Sequence, residues 1–303
     1  MPLNGRHVLL TGGTGFVGRH LVDHLRAQGA RITVLSRRPG HALKLLGTDV
    51  TVVGALAEVA DDCHFNAIIN LAGAPVIGMP WTAQRRRTLV RSRLNITRDL
   101  VRFIAAREQR PDVFITASAI GFYGIGDHVC DETVAPTDDF QSRLCQVWEA
   151  AARGVRRSGV RVVTLRLGVV LGRDGGAFPR LLLCYRLGVG TRFADGRQWL
   201  SWIHIDDVVG LIDLAISDEA ITGALNATAP EAVRQAEFAE VVGAGCGCWL
   251  TLPVPRRVMT GLLGEMSQLF VDGQRVVPAA ALAHDYRFRY AEFASAVNAL
   301  LAR

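Results

Sequence analysis

A chain of 303 residues, half of them hydrophobic and with 34 Lys and Arg against 28 Asp and Glu, can bury one or two sizeable cores and is not the composition of a disordered or fibrous protein. The first apolar strand follows six residues of N-terminus and no apolar run approaches the roughly 20 residues that span a bilayer, so a soluble, cytoplasmic protein without a secretory or transit peptide is expected. Six scattered cysteines predict reduced thiols and no metal site, since Cys246 and Cys248 lack a second ligand pair.

His7 to Thr11 reads as a strand, and the glycines after it open an amphipathic helix on which Val17, Leu21 and Leu25 recur at helical spacing. Gly13, Gly15 and Gly18 satisfy G-x-G-x-x-G, while Gly12, Gly15 and Gly18 satisfy G-x-x-G-x-x-G. Either pattern lets backbone approach a pyrophosphate, which then sits on the free amides of the helix N-terminus. The stretch Gly12, Gly13, Thr14, Gly15, Phe16, Val17 and Gly18 is therefore the candidate cofactor loop.

Gly29 stands where the helix stops, and Arg31 to Leu35 reads as a second strand followed by Ser36, Arg37 and Arg38. At that point a dinucleotide site carries an acid for ribose hydroxyls or an arginine for a 2′-phosphate. No acid is present, so NADP(H) is favoured over NAD(H).

Val50 to Val53 and Ala67 to Leu71 are further strands, the latter running into "NLAG", which adds Leu71, Ala72 and Gly73 to the cofactor residues. The segment from Arg85 to Arg110 holds nine arginines but also Leu89, Ile96, Leu100 and Ile104 near helical spacing. It reads as one amphipathic helix with a solvated basic face and predicts no nucleic-acid binding. Val113 to Ser118, a helix over about 141–158, and Val160 to Leu165 complete an alternation that predicts an α/β fold of the Rossmann type, a doubly wound parallel sheet.

From Gly168 the regularity breaks. The segment "GRQWLSW" precedes "IHIDDVVGLIDLAI", a strand passing into a helix, and the remainder reads as helices separated by prolines. The expected division is a Rossmann domain over 1–167 with 204–228 returning to it, and a smaller, mostly helical substrate lobe from 168–203 and 229–303.

The segments "TGGTGFVG", "NLAG", "SAIGFYG", "LRLGVVLG" and "WIHIDDVV" resemble, in that order, the extended short-chain dehydrogenase/reductases, also called the NAD-dependent epimerase/dehydratase family, and among these the branch of "epimerase family" proteins. The resemblance implies a nicotinamide cofactor, a C-terminal lobe that grips nucleotide sugars in better-known relatives, and dimers that pair two long helices. It also implies a catalytic Ser or Thr, a Tyr and a Lys. Counting from Tyr123 and Glu149, those positions hold Ala119, Gln141 and Cys145.

Gln cannot exchange a proton as Tyr does, and Cys145, beside the cofactor, lacks the ammonium that lowers the Tyr pKa and holds the ribose. Substitutes are Tyr123 first, if it faces the nicotinamide, then Ser118, then His204 with Asp206, although Asp206 or Asp207 is more simply the cap of the following helix. Cys130, Asp131 and Glu132 form a polar loop with no assigned role. Arg166, Arg197, Gln198 and Trp199 are candidates for an anionic or sugar-like substrate. Two functions follow: an NADP-dependent oxidoreductase or epimerase on a small polar substrate, or an NADP(H)-binding sensor or scaffold that has lost the chemistry.

Overall fold

The computed structural model describes residues 3–302, so the outermost residues of the predicted domain ranges lie outside it. Seven parallel strands form the central sheet: β1 (His7–Thr11), β2 (Arg31–Leu35), β3 (Thr51–Val53), β4 (Ala67–Asn70), β5 (Val113–Ala119), β6 (Arg161–Leu167) and β7 (Gly223–Ala227). Their spatial order is β7, β6, β5, β4, β1, β2, β3. Chain order reverses between β1 and β4, which opens the crevice where ligands of doubly wound sheets bind.

The period of two along each strand feeds two cores. Val8, Leu10, Ile69 and Ile115 face the layer built by α1 (Phe16–Ala27) and the helix Ile205–Ser217. Leu9, Ile68 and Phe114 face the opposite layer, with Leu100 and Ile104 of α2 (Ala83–Ala105) and Ala152 of α3 (Phe140–Arg153). Burial on both faces explains why these strands are nearly continuous apolar runs.

A further apolar cluster joins Phe178, Trp202, Phe238 and Phe293 outside the sheet. The C-terminal part is mostly helical, and short strands add to the helices. Leu250–Val254 is a strand paired in parallel with Val189–Phe193, and Gln274–Val276 pairs with Gly126–Cys130. Such partners lie tens of residues away in sequence, so their pairing leaves no local periodicity to read. Among the described residues no helix is long and apolar enough to cross a membrane.

Candidate functional site

A cleft of about 1300 Å³ runs along the carboxyl ends of β2, β1 and β4. Thr11, Gly12, Thr14 and Gly15 line its middle, Ser36, Arg37, Arg38 and His41 one side, and Leu71, Ala72, Gly73 and Ala74 another.

The two glycine patterns differ at Gly12 and Gly13, and both are close-packed, Gly12 against backbone and Gly13 against the Val34 side chain at 2.9 Å. Gly12 has φ +76°, and a Cβ on it would lie 2.7 Å from the Leu71 carbonyl carbon. A Cβ on Gly18 would lie 2.2 Å from the Gly12 carbonyl oxygen, so this glycine lets α1 press onto the turn. Gly15 precedes the first helical residue, and a Cβ there would meet only the Gly12 oxygen, at 3.1 Å. Among the described residues no side chain caps α1, so its first amides keep their hydrogen-bonding capacity for a ligand. Gly13 instead packs toward Val34, and the Phe16 ring nests among Gly172, Gly175 and Gly176. Gly13, Phe16, Val17 and Gly18 thus shape the loop without lining the cleft.

Arg37 and Arg38 are exposed, and neither is paired with a carboxylate among the described residues. Two free guanidiniums at the end of β2 suit a phosphate there. On the other side, Asn70 accepts from the Thr11 hydroxyl at 2.7 Å and donates to Thr97 at 2.9 Å, fixing the start of the Leu71–Gly73 turn between β4 and α2.

The expected catalytic substitutes do not reach this cleft. After β5 a single 3₁₀ turn, Ile120–Tyr123, folds Tyr123 inward, where it is 1% exposed. Its hydroxyl donates to Asn226 Oδ1 at 2.7 Å and accepts from Arg166 at 2.8 Å. Burial pushes its pKa up to about 12, the reverse of what a base needs. Ser118 is likewise buried and donates to Glu149 at 2.8 Å.

Arg166 closes this network, with Nε and a terminal nitrogen on the two Glu149 oxygens at 2.9 and 3.0 Å and its plane over Phe122. It is buried and engaged, so its assignment to substrate is corrected. The signal missed in sequence was that Glu149, Arg166 and Asn226 belong together. They stand on three different elements, and no local pattern links them.

Cys145 does not line the cleft. Its thiol is buried against the Ala119 carbonyl and burial raises its pKa to about 11, so it is an unreactive thiol in α3. Gln141, half-buried at the start of α3, packs on Gly121.

The "WIHIDD" segment is also structural. His204 Nδ1, not an aspartate, accepts from the Asp206 amide and caps the helix Ile205–Ser217. Asp207 turns to the C-terminal segment and accepts from the amides of Arg289 and Tyr290 at 2.7 and 3.0 Å. Glu132, in the loop without an assigned role, accepts from the amides of Asn226 and Ala280, and Cys130 is buried in its strand. In the lobe, Arg197 is exposed, while Trp199 is half-buried between the guanidiniums of Arg234 at 3.6 Å and Arg275 at 4.8 Å.

The model of the NAD dependent epimerase/dehydratase family matches residues 8–227. The chain belongs to this family. In this member of the epimerase/dehydratase family, residues 254–300 also match a domain of unknown function, DUF1731. It is 35% identical over 302 residues to the epimerase family protein YfhF of Bacillus subtilis, covering 98% of both. The crystal structure of human epimerase family protein SDR39U1 (isoform 2) with NADPH superposes with a TM-score of 0.89 at 32% identity, over 97% of this chain and 99% of that one. Thermus thermophilus UDP-glucose 4-epimerase in complex with NAD gives 0.80 over 97% of each chain at 18% identity, a likeness of fold alone.

Proposed function

We propose that this epimerase/dehydratase family member binds NADP(H) along the glycine loop and acts as an NADP(H)-responsive binding protein, with no proton relay of the Tyr and Lys kind. The cradle that a Cβ on Gly15 would intrude on and the unpaired Arg37 and Arg38 fit a 2′-phosphorylated dinucleotide, and a similar protein, human SDR39U1, was solved with NADPH. The observation that carries the reading is the state of the nearby hydroxyls. Ala119, Gln141 and Cys145 stand where the family's proton chemistry belongs, and Tyr123 and Ser118 are buried with their hydroxyls engaged. NADPH, when bound, would carry a transferable hydride; in this reading the chain's residues bind and orient the dinucleotide without passing that hydride on, and the expected consequence is a cofactor-dependent affinity for a partner protein.

The packed lobe around Trp202 and Phe293, with Trp199 between two arginines, favours a second reading. It is a reductase of a small polar substrate that draws its proton from water. Titration with NADPH and NADH by nicotinamide fluorescence, followed by decay on carbonyl and sugar-nucleotide panels, separates the two. Preferential NADPH binding without turnover supports the binding protein. Substrate-dependent oxidation supports the reductase, and binding of neither dinucleotide overturns both.

A further inference from the structure

Helix α2, with its seven arginines, does not present all its charges to water. Arg93 is 7% exposed and lies on the buried face between α2 and α3, its guanidinium 4.9 Å from the Trp148 ring centre. One terminal nitrogen donates to the Leu89 carbonyl at 3.1 Å, and among the described residues no carboxylate pairs with it. Burial pulls its pKa down to about 10, and the thiol of Cys145 is among the groups that feel its charge.

A buried guanidinium without a carboxylate is costly, and the Trp148 ring with the Leu89 carbonyl answers only part of it, leaving N–H groups for a ligand. Its position says which ligand. Gly73, which lines the cleft, has no side chain, and a Cβ there would lie 3.1 Å from the Arg93 guanidinium carbon and 3.3 Å from a terminal nitrogen. Arg93 therefore stands against Gly73, on the β4 side of the cleft. Arg37 and Arg38 stand past β2, on the other side of β1 and its phosphate loop. A dinucleotide with its pyrophosphate on α1 and its 2′-phosphate toward β2 must send its other half toward β4 and β5.

Resting on the cofactor reading above, we propose that Arg93 is the cationic subsite for the nicotinamide-ribose half of NADP(H), donating from α2 to the oxygens of that half. The charge is delivered across Gly73 and not from position 145 of α3.

The test compares two ligands, NADPH and adenosine 2′,5′-bisphosphate, which lacks the nicotinamide half, on the full chain by calorimetry. Arg93→Gln is expected to weaken NADPH by about tenfold or more while adenosine 2′,5′-bisphosphate stays within about twofold. Arg93→Lys, which keeps the buried charge, provides the variant if the glutamine does not fold, and should show the same selective loss in smaller measure. A folded variant that keeps native NADPH affinity, or loses both ligands equally, overturns the assignment. Failure of the native protein to bind adenosine 2′,5′-bisphosphate would instead overturn the cofactor reading itself.

Discussion

Glu149 and Arg166 form a two-pronged ion pair at 2.9 and 3.0 Å, on α3 and β6, with 2% and 5% of their surfaces exposed. Around it, Ser118, Tyr123 and Asn226 are drawn into one buried network. The hydroxyls the sequence offers for catalysis are thereby spent on holding β5, β6 and β7 together.

Glu149→Ala leaves the Arg166 charge buried and alone, and is expected to cost about 3–5 kcal/mol of stability. Urea unfolding measures it. A loss below about 1 kcal/mol would mean that water reaches Arg166 and that the network is not the clamp described.

Tyr123→Phe removes the hydroxyl between Arg166 and Asn226 and should destabilise by about 1–3 kcal/mol through the two groups left unsatisfied. NADPH affinity should be unchanged. If the variant keeps native stability yet abolishes a demonstrated turnover, Tyr123 is catalytic and its burial misleads.

The glycine loop separates fold from binding. At Gly18 a Cβ would meet backbone at 2.2 Å, so Gly18→Ala should cost about 3 kcal/mol or more. At Gly15 the only neighbour is at 3.1 Å with φ −79°, so Gly15→Ala should fold within about 1 kcal/mol of native and lose NADPH binding. Thermal unfolding with and without NADPH distinguishes them: a folded Gly15→Ala protein that NADPH still stabilises fully would show that the cofactor does not approach this backbone.

His204 is buried against Tyr290, and burial holds its pKa down to about 4 against 6.5 when unfolded. The folded state therefore binds fewer protons than the unfolded one between these values. Its contribution is complete above pH 6.5 and is lost as the pH falls toward 4. His204→Asn keeps an acceptor for the Asp206 amide and removes the titration. The fall of the unfolding midpoint from neutral pH to pH 4 should be shallower in this variant; an equal fall would place the acid sensitivity elsewhere.

Much of the architecture was legible because it is local. An apolar run, a glycine triplet and an amphipathic segment each declare themselves within a dozen residues, and β1 to β6 fall where the apolar runs lie. The cofactor loop was equally plain, although only packing showed that Gly12 and Gly18 press against backbone while Gly13 presses against the Val34 side chain.

Apart from the altered Tyr and Lys positions, which the family resemblance implies, the sequence by itself determined the parallel sheet, the phosphate loop and the two arginines after β2. Each depends on residue types at short spacing. Only the tertiary structure decided what Tyr123, Ser118, Arg166 and Arg93 face. A side chain's pKa and partners depend on burial and on elements far away in sequence: Glu149 reaches Arg166 across 17 residues, and Tyr123 meets Asn226 across 103. On α2, one arginine of seven is stripped of water by Trp148 and Gly73. That difference comes from which side of α2 meets α3, a matter of packing and not of composition.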